Sequence, residues 1–185
     1  MEPLRAGILL IPFAAAMMII APVSGFLSDR YGSRELSSLG LAVSALGLWG
    51  LTRLQANTTM GEVIIWLIVM GLGSGFFFSP NTNAIMGAVA PERRGIAAGT
   101  RTMMNNAGAV VSIALGLAMT ASSMSPEALR GLFAGTHVDM QGIVTAEFIL
   151  GLHRTFWVSF IISVIATIVA LMRGSHNLYT EKAGS

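Results

Sequence analysis

From Gly7 to Leu27 the chain carries no charged side chain, and four further predominantly apolar stretches of similar length follow it. A helix rises about 1.5 Å per residue, so roughly 20 apolar residues cross the ~30 Å hydrocarbon core of a bilayer. Inside that core every backbone amide must find its partner within the protein, which leaves helices and closed barrels as the only spanning structures. Five segments meet the length requirement: 7–27, 36–54, 63–89, 95–121 and 148–172. The fold class expected is therefore all-α, a polytopic transmembrane bundle of about five helices. Composition agrees, with 54% hydrophobic and 11% charged residues and a mean hydropathy of +0.71. A soluble domain carries roughly 25% charged residues to wet its surface.

Segment 36–54 is the least apolar and includes Arg53, which is expected to snorkel to the interface. The longer segments 63–89 and 95–121 have length to spare for tilt. Between segments, 28–34 and 90–94 are tight and basic, whereas 55–62 and 122–147 are longer and mostly uncharged or acidic. Cytoplasmic loops hold the excess of Lys and Arg. Arg30, Arg34, Arg93, Arg94, Arg173 and Lys182 thus mark one side as cytoplasmic, against Arg5, Arg53, Arg130 and Arg154 on the other. The expected orientation in the cell membrane (plasma or inner) has the N-terminus outside and the C-terminus inside. In the outer loop 122–147, Ser125-Pro126-Glu127 offers a capping residue, a proline at the first helical position and an acid in the first turn. That pattern predicts a short surface helix over 126–133.

Several function classes are excluded. The net charge of +2 is spread between apolar runs and forms no basic stripe for nucleic acid. With no cysteine there is neither a disulfide nor a thiolate metal site. His137, His153 and His176 lack metal-ligand spacing, His153 reads as interfacial, and no nucleophile–base set appears, so neither a metal, a cofactor nor an enzyme is expected. The start, Met1-Glu2-Pro3-Leu4-Arg5, lacks the charged region and cleavage site of a signal peptide, and the first apolar segment is expected to persist.

Around the first tight connection the chain reads Gly25-Phe26-Leu27-Ser28-Asp29-Arg30-Tyr31-Gly32-Ser33-Arg34. Gly25 allows a neighbouring helix to approach, and Gly32 permits a backbone turn that other residues resist. Asp29 is placed to accept hydrogen bonds from amides at a helix start, or to pair with an arginine of the adjacent loop. Such a pair forms in one conformation and breaks in another, a conformational latch. This stretch resembles the signature loop of the major facilitator superfamily, with Ser33 where a basic residue is usual. Two further stretches, Gly71-Leu72-Gly73-Ser74-Gly75-Phe76-Phe77-Phe78-Ser79-Pro80 and Ala90-Pro91-Glu92-Arg93-Arg94-Gly95-Ile96-Ala97-Ala98-Gly99, are similar to the C-terminal region of the fourteen-helix drug:proton antiporters of that superfamily. The similarity runs from about Pro3 to Met172. It implies a partial major facilitator fold, residues 1–185 forming part of a C-terminal transmembrane domain. It also implies export of small amphipathic compounds in exchange for protons. In such proteins the helix matching 63–89 lines the central cavity, while 7–27 and 95–121 face the other half. The expected partners are the lipid bilayer, the missing N-terminal half of the transporter, a small amphipathic substrate and protons. The alternative is a non-transporting membrane protein, either a truncated remnant or a helical subunit that assembles with another chain.

Polar groups in hydrocarbon are costly, so each is a functional candidate. Segments 63–89 and 95–121 hold nearly all of them, joined by a turn centred near Glu92. Residues equally far from that turn lie at similar depth in a hairpin. Asn81, Asn83, Arg101 and Asn105 are therefore expected to cluster, with Asn106 close by, as a polar wall of a substrate cavity. Arg101 and Asn105 share one helix face. The resembling antiporters carry Arg-Gln near the positions of Asn105 and Asn106, so the charge here comes one turn earlier. Glu92, Arg93 and Arg94 join Gly25, Asp29, Arg30, Gly32 and Arg34 as the candidate latch. Pro80 is expected to free backbone carbonyls that a cavity or neighbouring helix must satisfy. Gly71-x-x-x-Gly75 and Gly95-x-x-x-Gly99 are expected at close helix contacts. No Asp or Glu falls in the body of the five segments, which places any coupling carboxylate elsewhere in the protein.

Overall fold

The computed structural model describes residues 3–55, 57–126 and 141–172. They form five long helices: α1 (Pro3–Tyr31), α2 (Ser33–Leu51), α3 (Met60–Gly87), α4 (Arg94–Ala121) and α5 (Gln141–Met172). A short 3-10 turn at Pro91–Arg93 leads into α4. Among the described residues there is no strand. The all-α bundle of about five helices read from the sequence is the architecture found.

The ends of the helices depart from the apolar runs in informative ways. The basic connection expected over 28–34 is almost entirely helical, because α1 continues through Asp29 and Arg30 and α2 begins at Ser33. Gly32 alone breaks the helix, at φ 97°, a conformation that a side chain would strain. Its amide closes α1 by donating to the Ser28 carbonyl at 3.0 Å. At its far end α2 stops at Leu51 rather than at 54. Thr52 turns back there, its hydroxyl donating to the Trp49 carbonyl at 2.7 Å. Arg53 therefore stands beyond the helix, with its guanidinium 4.0 Å from the centre of the Trp49 ring. The connection expected over 122–147 is shorter, since α5 takes in 141–147 and places Glu147 within a helix. The surface helix expected over 126–133 lies largely outside the described residues.

The core is built on α3, which packs along both α1 and α2. Its glycines make this possible by offering backbone where a side chain would collide. Gly73 meets α2: a Cβ on Gly40 would fall 2.5 Å from the Phe77 amide nitrogen and 2.7 Å from the Gly73 carbonyl oxygen. Gly71 and Gly75, one turn apart, lie instead against Phe13, Met17 and Ile20 of α1. The close contact expected at Gly71-x-x-x-Gly75 is thus present. That expected at Gly95-x-x-x-Gly99 is not, for a Cβ on either glycine would meet no described residue of another element within 4 Å. None of the residues of α4 is buried.

Pro80 lies inside α3 and is fully buried. Having no N–H, it leaves the carbonyl of Phe76, four residues earlier, without its helical donor. Ser24 of α1, at 0% exposure, supplies one: its hydroxyl donates to the Phe76 oxygen at 3.3 Å. Other hydroxyls in the spans, such as Ser74 and Thr82, bond back to their own helix. Ser24 bonds across to a neighbour.

Among the described residues four helical stretches are long and apolar enough to cross a membrane: Gly7–Tyr31, Met60–Gly87, Pro91–Ala121 and Ile149–Met172. α2 is not among them; Arg34, Glu35 and its serines dilute it. It is also the helix whose neighbours cover it most, held between α3 and α5, so less of its surface has to face lipid.

Candidate functional site

The cavity between α3 and α4 has a volume of about 520 Å³. Phe77, Phe78, Asn81 and Ile85 line it from α3, and Ala97, Thr100, Arg101, Met104 and Asn105 from α4. On α4 these positions recur at three- and four-residue intervals, the stripe that one face of a helix presents. Aromatic, methionine and aliphatic surfaces surround one cation and two amides, a lining of the kind that holds amphipathic small molecules. Arg101 is half-buried and is the one basic residue in the body of the span it belongs to. No ion pair forms among the described residues, so its charge faces the cavity uncompensated there.

Of the five residues expected to cluster, the structure brings together Asn81, Arg101 and Asn105. Asn83 and Asn106 are exposed and line no part of this cavity. Distance from the Glu92 turn fixes depth, but not the direction around a helix axis. Asn83 is two residues from Asn81, and so roughly 200° around the helix from it; Asn106 is about 100° around from Asn105. Thr100, Met104 and Ile85 are lining residues that depth alone does not pick out, although the helical period extended from Arg101 and Asn105 reaches the first two.

Asn81 and Phe77 also border a second cavity of about 700 Å³ among α2, α3 and α5, with Arg34 and Ser37 at one end. The two residues form a partition between the cavities.

The candidate latch residues are differently placed. Gly25 does allow the close approach expected of it, since a Cβ there would fall 2.9 Å from the Ser79 hydroxyl of α3. Asp29 and Arg30 are exposed in the last turn of α1. Asp29 caps no helix: Gly32 holds the N-cap position of α2 and Arg93 that of α4, neither with a side-chain cap bond. Asp29 also forms no ion pair among the described residues. The reason is the uninterrupted α1, which keeps Asp29 on a helix end rather than before a helix start. Arg34 instead reaches a neighbouring helix, its guanidinium donating to the Leu171 carbonyl near the end of α5. A cation at the carbonyl end of a helix is favourable on both hydrogen-bond and dipole grounds. Glu92, Arg93 and Arg94 are all exposed around the 3-10 turn.

At the opposite end of the bundle His153 is half-buried and donates from Nε2 to the Leu54 carbonyl, tying α5 to the end of α2. Arg154 donates to the Ser123 hydroxyl at 3.2 Å. Among the described residues no group of three His, Asp or Glu side chains is placed to hold a metal ion.

Helices of this length and apolarity, stacked through glycine, define a multi-pass membrane protein. The family model of the Major Facilitator Superfamily matches residues 1–183, and the chain belongs to that superfamily. It is 25% identical over 171 residues to the riboflavin transporter RibZ of Clostridioides difficile strain 630, covering 92% of this chain and 35% of that protein. It is 25% identical over 202 residues to the tetracenomycin C resistance and export protein of Streptomyces glaucescens, covering 92% of this chain and 38% of that one. Identity is 29% over 148 residues to the multidrug resistance protein Stp of Mycobacterium tuberculosis, with 80% of this chain and 27% of the relative covered. The chain thus spans between 27% and 38% of the length of these relatives. No solved structure matches it.

Proposed function

We propose that this chain is a C-terminal portion of a fourteen-helix type exporter that moves small amphipathic molecules out of the cell in exchange for protons. The observation that carries the reading is the α3–α4 cavity, where Arg101, Asn81 and Asn105 stand among Phe77, Phe78 and Met104. An unpaired cation in a span is expensive and marks a substrate or ion pathway by default. The matched relatives, which include transport, export and multidrug resistance proteins, support the same class of activity. Substrate binds where two repeat halves meet in such carriers, so the missing half closes the cavity from the side that α4 leaves open. The cytoplasmic side is the end holding Asp29, Arg30, Arg34, Glu92, Arg93 and Arg94. There Asp29 pairs with an arginine in only one of the conformations of the cycle. The proton-titrating group belongs to the remainder of the protein.

The test is co-expression with the remaining portion, followed by dye efflux from energised cells with and without a proton gradient. Efflux should need both portions and collapse with the gradient. Arg101→Ala and Asn105→Ala should lower it severalfold, Asn106→Ala should leave it near the parent rate, and Asp29→Asn should slow it. Parent rates from Arg101→Ala and Asn105→Ala together would remove the cavity as the substrate site.

A second reading, a helical subunit that assembles with another chain without transporting, draws on the uncovered surface of α4. Stable co-purification with the other portion in the absence of any efflux would favour it.

A further inference from the structure

On the outer side of the α2–α5 seam runs a groove of about 430 Å³ whose lining is almost wholly apolar. Ala42, Ala45 and Leu46 form one wall with Trp49, and Phe160, Val164, Thr167 and Ile168 form the other. The small alanines of α2 make the depression. Thr167 adds little polarity, because its hydroxyl is already bonded to the Ser163 carbonyl at 2.8 Å. The rows 42, 46, 49 and 160, 164, 168 each follow one helix face. Continued toward the same end, they lead to Arg53 and to His153. Arg53 is exposed, stands beyond the end of α2 and rests on the Trp49 ring that lines the groove. The His153 ring is committed to the Leu54 carbonyl, which holds the two walls together at that end.

We infer that this groove is a binding site for an anionic phospholipid, with one acyl chain lying between α2 and α5 and the phosphate at the Arg53 guanidinium. Three features favour a lipid over a further helix or a soluble ligand. The stretch from Phe160 to Ile168 is about 12 Å long at 1.5 Å per residue, most of the ~15 Å that one leaflet contributes to the core. Its walls offer almost no hydrogen-bonding group, as suits a hydrocarbon tail and not a polar solute. Where the groove reaches the interface it meets a tryptophan and an arginine, the residues that sit at headgroup level and favour anionic lipid. Stacking on Trp49 keeps the guanidinium over the groove mouth while leaving its N–H edges free for phosphate oxygens.

The test uses the full chain in nanodiscs of phosphatidylcholine and phosphatidylglycerol, released into detergent and read by native mass spectrometry for retained lipid. The parent should keep one phosphatidylglycerol in preference to phosphatidylcholine. Arg53→Ala should cut that retention about fivefold, the equivalent of about 1 kcal/mol for one cation near the membrane surface. Arg53→Lys should keep most of it. Ala42→Phe, at an exposed position, fills the groove without touching Arg53 and should cut retention comparably. Circular dichroism on each variant checks that the helices persist. Equal retention of both lipids by the parent would overturn the proposal, as would parent-like retention in either Arg53→Ala or Ala42→Phe. Displacement of the lipid by inorganic phosphate would overturn it too, since the site would then take a free anion.

Discussion

Replacing Ser24 by alanine removes the hydroxyl that serves the carbonyl freed by Pro80, and the cost can be bracketed. A buried carbonyl left without a donor costs about 1–3 kcal/mol in a water-referenced protein. Hydrogen bonds between membrane helices are worth less, about 0.6 kcal/mol on average and about 1.7 at most, because the unfolded chain in the membrane also finds partners. The 3.3 Å separation is long for a hydroxyl donor and argues against the upper bound. Ser24, however, is wholly buried, so no water replaces its hydroxyl. About 1 kcal/mol, a fivefold change in the folded-to-unfolded ratio, is the expected loss. The cause can be isolated with a second substitution. Pro80→Ala restores an N–H at position 80, and the helix then satisfies the Phe76 carbonyl itself. In that background Ser24→Ala should cost less than about 0.5 kcal/mol, and the difference is the coupling energy. Whatever Pro80→Ala costs through the volume it vacates cancels in the cycle. The measurement is reversible unfolding in mixed micelles by dodecyl sulfate titration, followed by tryptophan fluorescence and helical ellipticity. Ser24→Ala costing the same with proline or alanine at position 80 would refute the reasoning, because the hydroxyl would then be doing something other than answering the proline.

Gly40→Ala should destabilise the chain by about 1–2 kcal/mol in the same titration. The added carbon falls 2.5–2.7 Å from backbone atoms that cannot easily give, which puts the overpacking cost in the upper part of its range, about 2–3 kcal/mol, against the ~1 kcal/mol gained by removing a helical glycine. Gly108→Ala, where nothing lies within 4 Å, should be neutral or slightly stabilising, and a loss there equal to that at Gly40 would sink the packing argument. Arg34→Gln should loosen the end of α5 that its guanidinium holds, seen as faster amide exchange near Leu171 with α1–α3 unchanged. Protection that is unaffected would mean the contact carries no stability.

How much of this was legible in the sequence depends on which coordinate of a helix is asked for. The number of helices and their approximate spans follow from apolar length alone. The run of charge that suggested a loop at 28–34 did not reveal that α1 continues to Tyr31. Asp29 and Arg30 tolerate a helix well enough, and Gly32 is the only residue there whose backbone conformation a helix excludes. Pro80 predicts a freed carbonyl, but nothing in the sequence singles out Ser24 as its partner among the serines of α1 and α2. That pairing depends on the rotation of α1 about α3, which is set by where Gly71 and Gly75 admit Phe13, Met17 and Ile20.

The same distinction governs the site. Counting residues from the Glu92 turn gave depth, and depth put Asn81, Arg101 and Asn105 together, yet it also admitted Asn83 and Asn106, whose helix faces point elsewhere. Facing requires a second set of constraints, and glycine supplies it for only part of the chain. Gly40, Gly71, Gly73 and Gly75 each have a neighbour against them, so the pattern of small residues on α2 and α3 fixes how α1, α2 and α3 meet. On α4 the same small-residue spacing at Gly95 and Gly99 meets open space. An identical motif therefore marks a contact in one helix and an unfilled surface in the other. What decides between them is which helices pack alongside, and no local pattern in the sequence can carry that information.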